Sequence, residues 1–131
     1  MTDFEKVKSY LIELEYTILS EDIEEELFVV EKEDAGISNL IIDCEGEILI
    51  IEQLIMELPV DRAEVYKDLL IKNREIVHGA FVLADDGKSL IFRDTLQLKN
   101  LDLNELEGTL NSLALLLGEY GETLINISKL K

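Results

Sequence analysis

The chain has 131 residues, the size of about one ordinary domain, and its composition is 47% hydrophobic and 31% charged, enough apolar content to bury a core. Twelve Lys and Arg stand against 29 Asp and Glu, a net charge of −17 that repels phosphate backbones and anionic lipid; this argues against a sequence-independent nucleic-acid binder, and neither a nucleic-acid nor a membrane partner is expected. One Cys and one His leave no ligand set for zinc, haem or iron–sulfur chemistry, and neither a metal nor a cofactor is expected.

Phe4, Val7, Leu11, Leu14 and Ile18 recur at spacings of three and four, the stripe of an α-helix. Thr2 with Glu5 three residues on is a capping box, so this helix is predicted from the first residues to near Ser20. The acidic run Glu21 to Glu26 after it is predicted to be a solvated loop. Three strands follow: Leu27–Lys32, ending at a turn around Asp34-Ala35-Gly36; Ile37–Cys44, breaking at Glu45-Gly46; and the long Glu47–Leu58. Short turns carrying one glycine each predict antiparallel hairpins, because parallel pairing needs a crossover of a dozen residues or more.

Pro59 closes that meander, and Asp61 with Glu64 is a helix start, Val60 and Val65 fitting a hydrophobic staple around it. This second helix is predicted from Arg62 to about Val77, burying Val65, Leu69, Ile76 and one of Tyr66 or Leu70, with Gly79 at its exit. Asn73 lies on the face with Leu69 and Ile76 and reads as a structural amide bonding nearby backbone. A hairpin comes next, Ala80–Ala84 and Ser89–Leu98 around Asp85-Asp86-Gly87-Lys88; in its second strand Leu90, Phe92, Leu96 and Leu98 alternate with polar residues. The last helix opens on Asp102 with Glu105, Leu101 and Leu106 supplying the staple, and runs an apolar seam from Leu103 to Leu124. That seam reads as a helix lying along a sheet rather than as a coiled coil. The predicted order is α-β-β-β-α-β-β-α, an α+β fold in which helices pack on an antiparallel sheet, one domain over residues 1–131.

The N-terminus has no basic region followed by an apolar stretch, no apolar run approaches the ~20 residues of a bilayer span, and the lone Cys44 cannot close an internal disulfide. The expected location is the cytoplasm. For catalysis the best acid is Glu52, which interrupts an apolar strand, followed by Asp94 inside the alternation of its strand; both are better explained as paired carboxylates. The Asp85–Ser89 stretch lacks the ligand spacing of a calcium loop and the glycines of a phosphate loop, and reads as a hairpin turn. Cys44 reads as a small buried hydrophobe, and His78 has no partner for a catalytic triad. The expectation is a non-enzyme.

In Glu47–Leu58 both strand faces are apolar, whereas an antiparallel sheet covered on one side has a wet face. Leu49, Ile51 and Ile55 are accordingly the candidate protein-binding or dimerisation face, with a β-bulge near Glu52 or Gln53 able to swap the faces midway.

The stretch Leu69 to Leu83, with its Leu-Leu, Asn73 and Gly79-Ala80-Phe81, resembles YbjN-type chaperone-like proteins, and the element order, size and acidity resemble the type III secretion chaperone fold of the Tir-chaperone family. Phe92 to Leu98 followed by Leu101-Asp102-Leu103 is similar to the junction between their last strand and last helix. The resemblance implies a cytoplasmic monomer or homodimer whose partner is a protein client or a second copy, secretion chaperones holding an extended effector segment on apolar patches of the sheet and first helix. YbjN-type proteins are tied to stress tolerance and regulation, and a regulatory domain binding a small ligand between helix and sheet is the alternative. The pattern carries no catalytic or ligand residue.

Overall fold

The computed structural model describes all residues from Met1 to Lys131. Helix α1 (Asp3–Glu13) is capped by Thr2, whose hydroxyl accepts from the Glu5 amide at 3.1 Å. It stops about two turns short of the predicted Ser20. Glu15 takes a left-handed φ of 65°, its amide bonds to the Ile12 carbonyl, and the Tyr16 amide reaches back to Leu11. This is a Schellman termination with glutamate where glycine is usual. Thr17–Asp22 then forms strand β1, so Ile18 continues the apolar stripe by spacing alone and the start of the acidic run is strand, not loop.

Strands β2 (Leu27–Lys32), β3 (Ile37–Glu45) and β4 (Ile48–Glu57) follow as predicted, β2 and β3 joined through a single 3-10 turn at Glu33–Ala35. Helix α2 (Ala63–Lys72) begins later and ends earlier than expected, passing into a 3-10 turn at Asn73–Glu75. Its cap position is Arg62, with no side-chain cap bond; Asp61 instead accepts from the Tyr66 hydroxyl at 2.8 Å. Strands β5 (Ala80–Leu83) and β6 (Ser89–Gln97) make the hairpin, and α3 (Leu103–Ser128) starts at Asp102, whose carboxylate accepts from the Glu105 amide at 2.8 Å. The fold is α+β with one more strand than predicted.

All strands form one antiparallel sheet in the order β1-β2-β3-β4-β6-β5. The buried side chains of α1, α2 and α3 join those of one sheet face in a single core of 26 residues. Phe4 of α1 stacks on Phe28 of β2 with ring centroids 4.3 Å apart, and α3 contributes Leu106, Leu110 and Leu113, fully buried, to the centre. The seam of α3 therefore faces the sheet, as its length suggested, and Leu101 and Leu106 are both buried at its start. In α2, Val65 and Leu69 are buried, Tyr66 is half-buried and Leu70 is exposed; Ile76, beyond the 3-10 turn, is half-buried. Because every helix lies on the same side, the other face of the sheet is uncovered.

Candidate functional site: the uncovered sheet face

Strand register decides which residues line the two faces. Phe28, Leu40, Ile42, Leu49, Ile51 and Phe92 point into the core and are essentially inaccessible. Leu49 and Ile51, two of the three residues expected to be an exposed interaction face, thus belong to the packed interior beneath the helices. Ile55, the third, is half-buried against the core at the irregularity between Leu54 and Met56, where the ladder to β6 slips by a residue. The bulge sits slightly past the Glu52–Gln53 position anticipated from sequence, and it returns Met56 to the core side opposite Leu90. The partition of β4 is therefore the reverse of the expected one: its outward aliphatics are Ile48, Ile50 and Leu54.

Those residues continue across neighbouring strands. One row runs Val29–Ile41–Glu52–Arg93, the next Leu27–Asp43–Ile50–Thr95, and a third Leu54–Ile91–Val82. Leu54 is 60% exposed, Ile41 and Ile48 are each 38% exposed, and Ile50 and Ile91 are half-buried. These aliphatics spread over five strands with no element of the chain above them, and so form a continuous surface rather than scattered surface apolars.

Carboxylates interleave with the aliphatics. Glu52 is balanced by Arg93, Nε to Oε2 3.6 Å, both partly solvated. Asp43 and Glu45 have no cation: burial, and then the nearby carboxylates of Glu45, Glu25 and Glu52, raise the Asp43 carboxyl above its ordinary range. The face is therefore apolar and net negative, with one guanidinium already engaged.

The residues weighed for chemistry are each accounted for elsewhere. Asp94 does point inward, and its Oδ2 accepts from the Thr109 hydroxyl of α3 at 2.7 Å while Oδ1 accepts from the Thr95 amide. Cys44 is buried, and burial, followed by the fields of Glu26, Asp3 and Asp43, pushes its thiol up to about 12, far from thiolate chemistry. In the β5–β6 turn the Asp86 carboxylate accepts from the Ser89 hydroxyl and from the Lys88 and Ser89 amides at 2.7–2.8 Å, an Asx-type turn. Asn73 bonds both backbone groups of Phe81, Nδ2 to the carbonyl at 3.2 Å and Oδ1 from the amide at 2.8 Å, as a structural amide should. His78 is held through its backbone, the Ser112 hydroxyl bonding its amide and carbonyl. Sequence reasoning did not single out the second apolar feature, a cleft of about 220 Å³ between α2 and the β5–β6 hairpin, lined entirely by hydrophobic residues including Leu58, Tyr66, Leu69, Phe81 and Leu90.

Comparison with known proteins agrees with the fold. The CesT_Tir_1 family model matches residues 1–130, and the chain belongs to that family. The crystal structure of YbjN from E. coli, described as a candidate transcription regulator, superposes with a TM-score of 0.66 at 11% identity, over 92% of each chain. A chain of the HopA1–SchA chaperone–effector complex superposes with a TM-score of 0.61 at 12% identity, over 97% of this chain and 94% of that one. At such identities the likeness is one of fold. No curated protein sequence matches. No helix is long and apolar enough to cross a membrane.

Proposed function

We propose that this chain is a non-enzymatic, chaperone-like protein-binding module that holds a partner polypeptide against the uncovered face of its sheet. The observation that carries this reading is the aliphatic surface around Ile41, Ile50, Leu54 and Ile91, which no helix of the chain covers. Each such side chain taken fully out of water by a partner contributes about 1.5–3 kcal/mol before the cost of association is subtracted. Membership of the CesT_Tir_1 family, and a fold shared with a chain of a chaperone–effector complex, support protein binding over catalysis. So does the engagement of the two acids weighed for catalysis, Glu52 with Arg93 and Asp94 with Thr109. The cytoplasm is the compartment that suits a buried free thiol. A homodimer joined face to face would bring Asp43 and Glu45 of both copies together, so a client is favoured over a second copy on this surface.

A second reading rests on the α2–hairpin cleft, which is where a regulatory small ligand between helix and sheet would sit. At about 220 Å³ it is smaller than the usual ~300–1,000 Å³ of ligand sites, and the first reading is preferred. Native mass spectrometry of the protein purified from its own source, parent beside Ile50→Glu, separates the two. A polypeptide carried by the parent and lost from a variant with unchanged circular dichroism supports the client reading. A small-molecule adduct kept by Ile50→Glu and lost on Leu69→Phe supports the cleft, and a second copy lost from Ile50→Glu makes the face a dimer interface.

A further inference from the structure

The polarity of the uncovered face says what kind of segment fits it. We infer that its occupant is a cationic stretch in extended conformation whose sheet-facing side chains, every second residue, are by turns Lys or Arg and a large aliphatic. The inference rests on the proposed use of this face as a partner site and goes on to name the partner's chemistry.

Asp22, Asp43, Glu45 and Glu52 all lie on the outward side of β1, β3 and β4, where the only cation is Arg93, and Arg93 is held by Glu52. Asp43 sits between the aliphatics: Leu27 and Ile50 flank it across the sheet, Ile41 precedes it on its own strand, and Glu45 follows. A partner that buries Ile41 and Ile50 must therefore also cover Asp43. A neutral or anionic partner would strip water from a carboxylate already crowded by Glu45, Glu25 and Glu52, which is costly without a compensating charge. A Lys or Arg laid there relieves the crowding and gains charge-assisted hydrogen bonds. Side chains on one side of an extended strand recur every ~6–7 Å and strands of the sheet every ~4.8 Å, so a peptide crossing the face meets carboxylate and aliphatic positions in turn. The net charge of −17 steers a cation toward the molecule but does not choose the face; the interleaving of Asp43 and Glu45 with Ile41 and Ile50 does.

Fluorescence anisotropy at ~0.15 M salt, where distant charges are screened, tests this with three labelled peptides in which every second residue is serine and the residues between alternate leucine with Lys, Ser or Glu, so that leucine and its alternate share one side of the strand. The proteins are the parent, Asp43→Asn with Glu45→Gln, Ile50→Ser, and a control pair, Glu119→Gln with Glu122→Gln, which changes net charge equally on exposed α3 residues. The expected result is binding of the Lys–Leu peptide, weakened about tenfold or more by the Asp43/Glu45 pair and by Ile50→Ser and unchanged by the control pair. Equal binding of the Ser–Leu peptide, insensitive to the Asp43/Glu45 pair but lost in Ile50→Ser, overturns the charge preference while leaving the partner face standing. Equal weakening by both charge pairs reduces the effect to net charge and overturns it too. If Ile50→Ser changes nothing with any peptide, or none binds the parent, the face itself is not a partner site and both readings fall together.

Discussion

Asp94 interrupts the inward row of β6, and the single hydroxyl of Thr109, itself fully buried, is its side-chain partner. Thr109→Val keeps the shape and removes the donor, so urea denaturation should show a loss of about 1–2 kcal/mol, the low end for a bond to a carboxylate because Asp94 stays partly solvated. Gly79 is constrained more severely. Its φ is +80°, and a Cβ there would meet the Phe92 ring at 2.4 and 2.5 Å. Gly79→Ala combines a left-handed backbone penalty with overpacking and should cost roughly 2–4 kcal/mol. Gly87→Ala, at φ +71° but facing open space, should lose only the ~1–2 kcal/mol backbone part, and the difference between the two by denaturant titration isolates the clash. Asp43 shows the sign of a crowded carboxylate. Its folded pKa lies above the unfolded value, so the fold is favoured while the group is protonated, and that contribution is lost as pH rises through the raised pKa. Asp43→Asn should therefore leave Tm at pH 7 equal or higher, and remove the part of its decline that comes as pH rises from the ordinary carboxylate value through the raised one. A lower Tm at pH 7 for the variant would mean that the carboxylate is stabilised by a partner.

At the level of elements, what could be read from the sequence depended on whether the stop or start signal was local. The α3 start was legible because Asp102, Glu105, Leu101 and Leu106 all occupy adjacent cap and staple positions, and each does its expected job. The end of α1 was not legible, because its left-handed terminating residue is Glu15 rather than glycine and Ile18 falls by chance on the helical stripe. The β-branched pair Thr17-Ile18 next to Tyr16 was the available signal for β1, but this edge strand is exposed at nearly every position and shows no alternation. The opposite edge, β5, is guarded by Asn73, which occupies the Phe81 amide and carbonyl on the side away from β6. Asn73→Ala frees both groups, so it should cost about 1–2 kcal/mol and leave a sheet edge able to template pairing with another chain. Sedimentation velocity should show concentration-dependent association beyond that of the parent; a distribution identical to the parent's would mean that the neighbouring turn at Arg74 and Glu75 shields the edge without the amide.

For the molecule as a whole, the doubly apolar β4 correctly signalled an uncovered face, but the choice between its two faces was not in the strand itself. Parity becomes visible only once the partners are aligned: Ile50 pairs with Asp43 and Thr95, and Ile48 with Glu45 and Gln97, polar neighbours that belong outside, whereas Leu49 and Ile51 pair into rows that the helices cover. The register, a long-range property, carries that information. The resulting architecture is one core under three helices on one side and an aliphatic surface studded with carboxylates on the other. Methyl-labelled NMR tests this division most directly, because isoleucines mark both faces. On addition of the Lys–Leu and Ser–Leu peptides, the account predicts that methyl signals of Ile41, Ile48, Ile50 and Ile91 shift or broaden while those of Ile37, Ile42, Ile51 and Ile127 stay in place. Changes confined to Leu115 and Ile125 on the exposed side of α3, or to Leu69 and Leu90 in the α2 cleft, or no change at any isoleucine of the sheet, would contradict it.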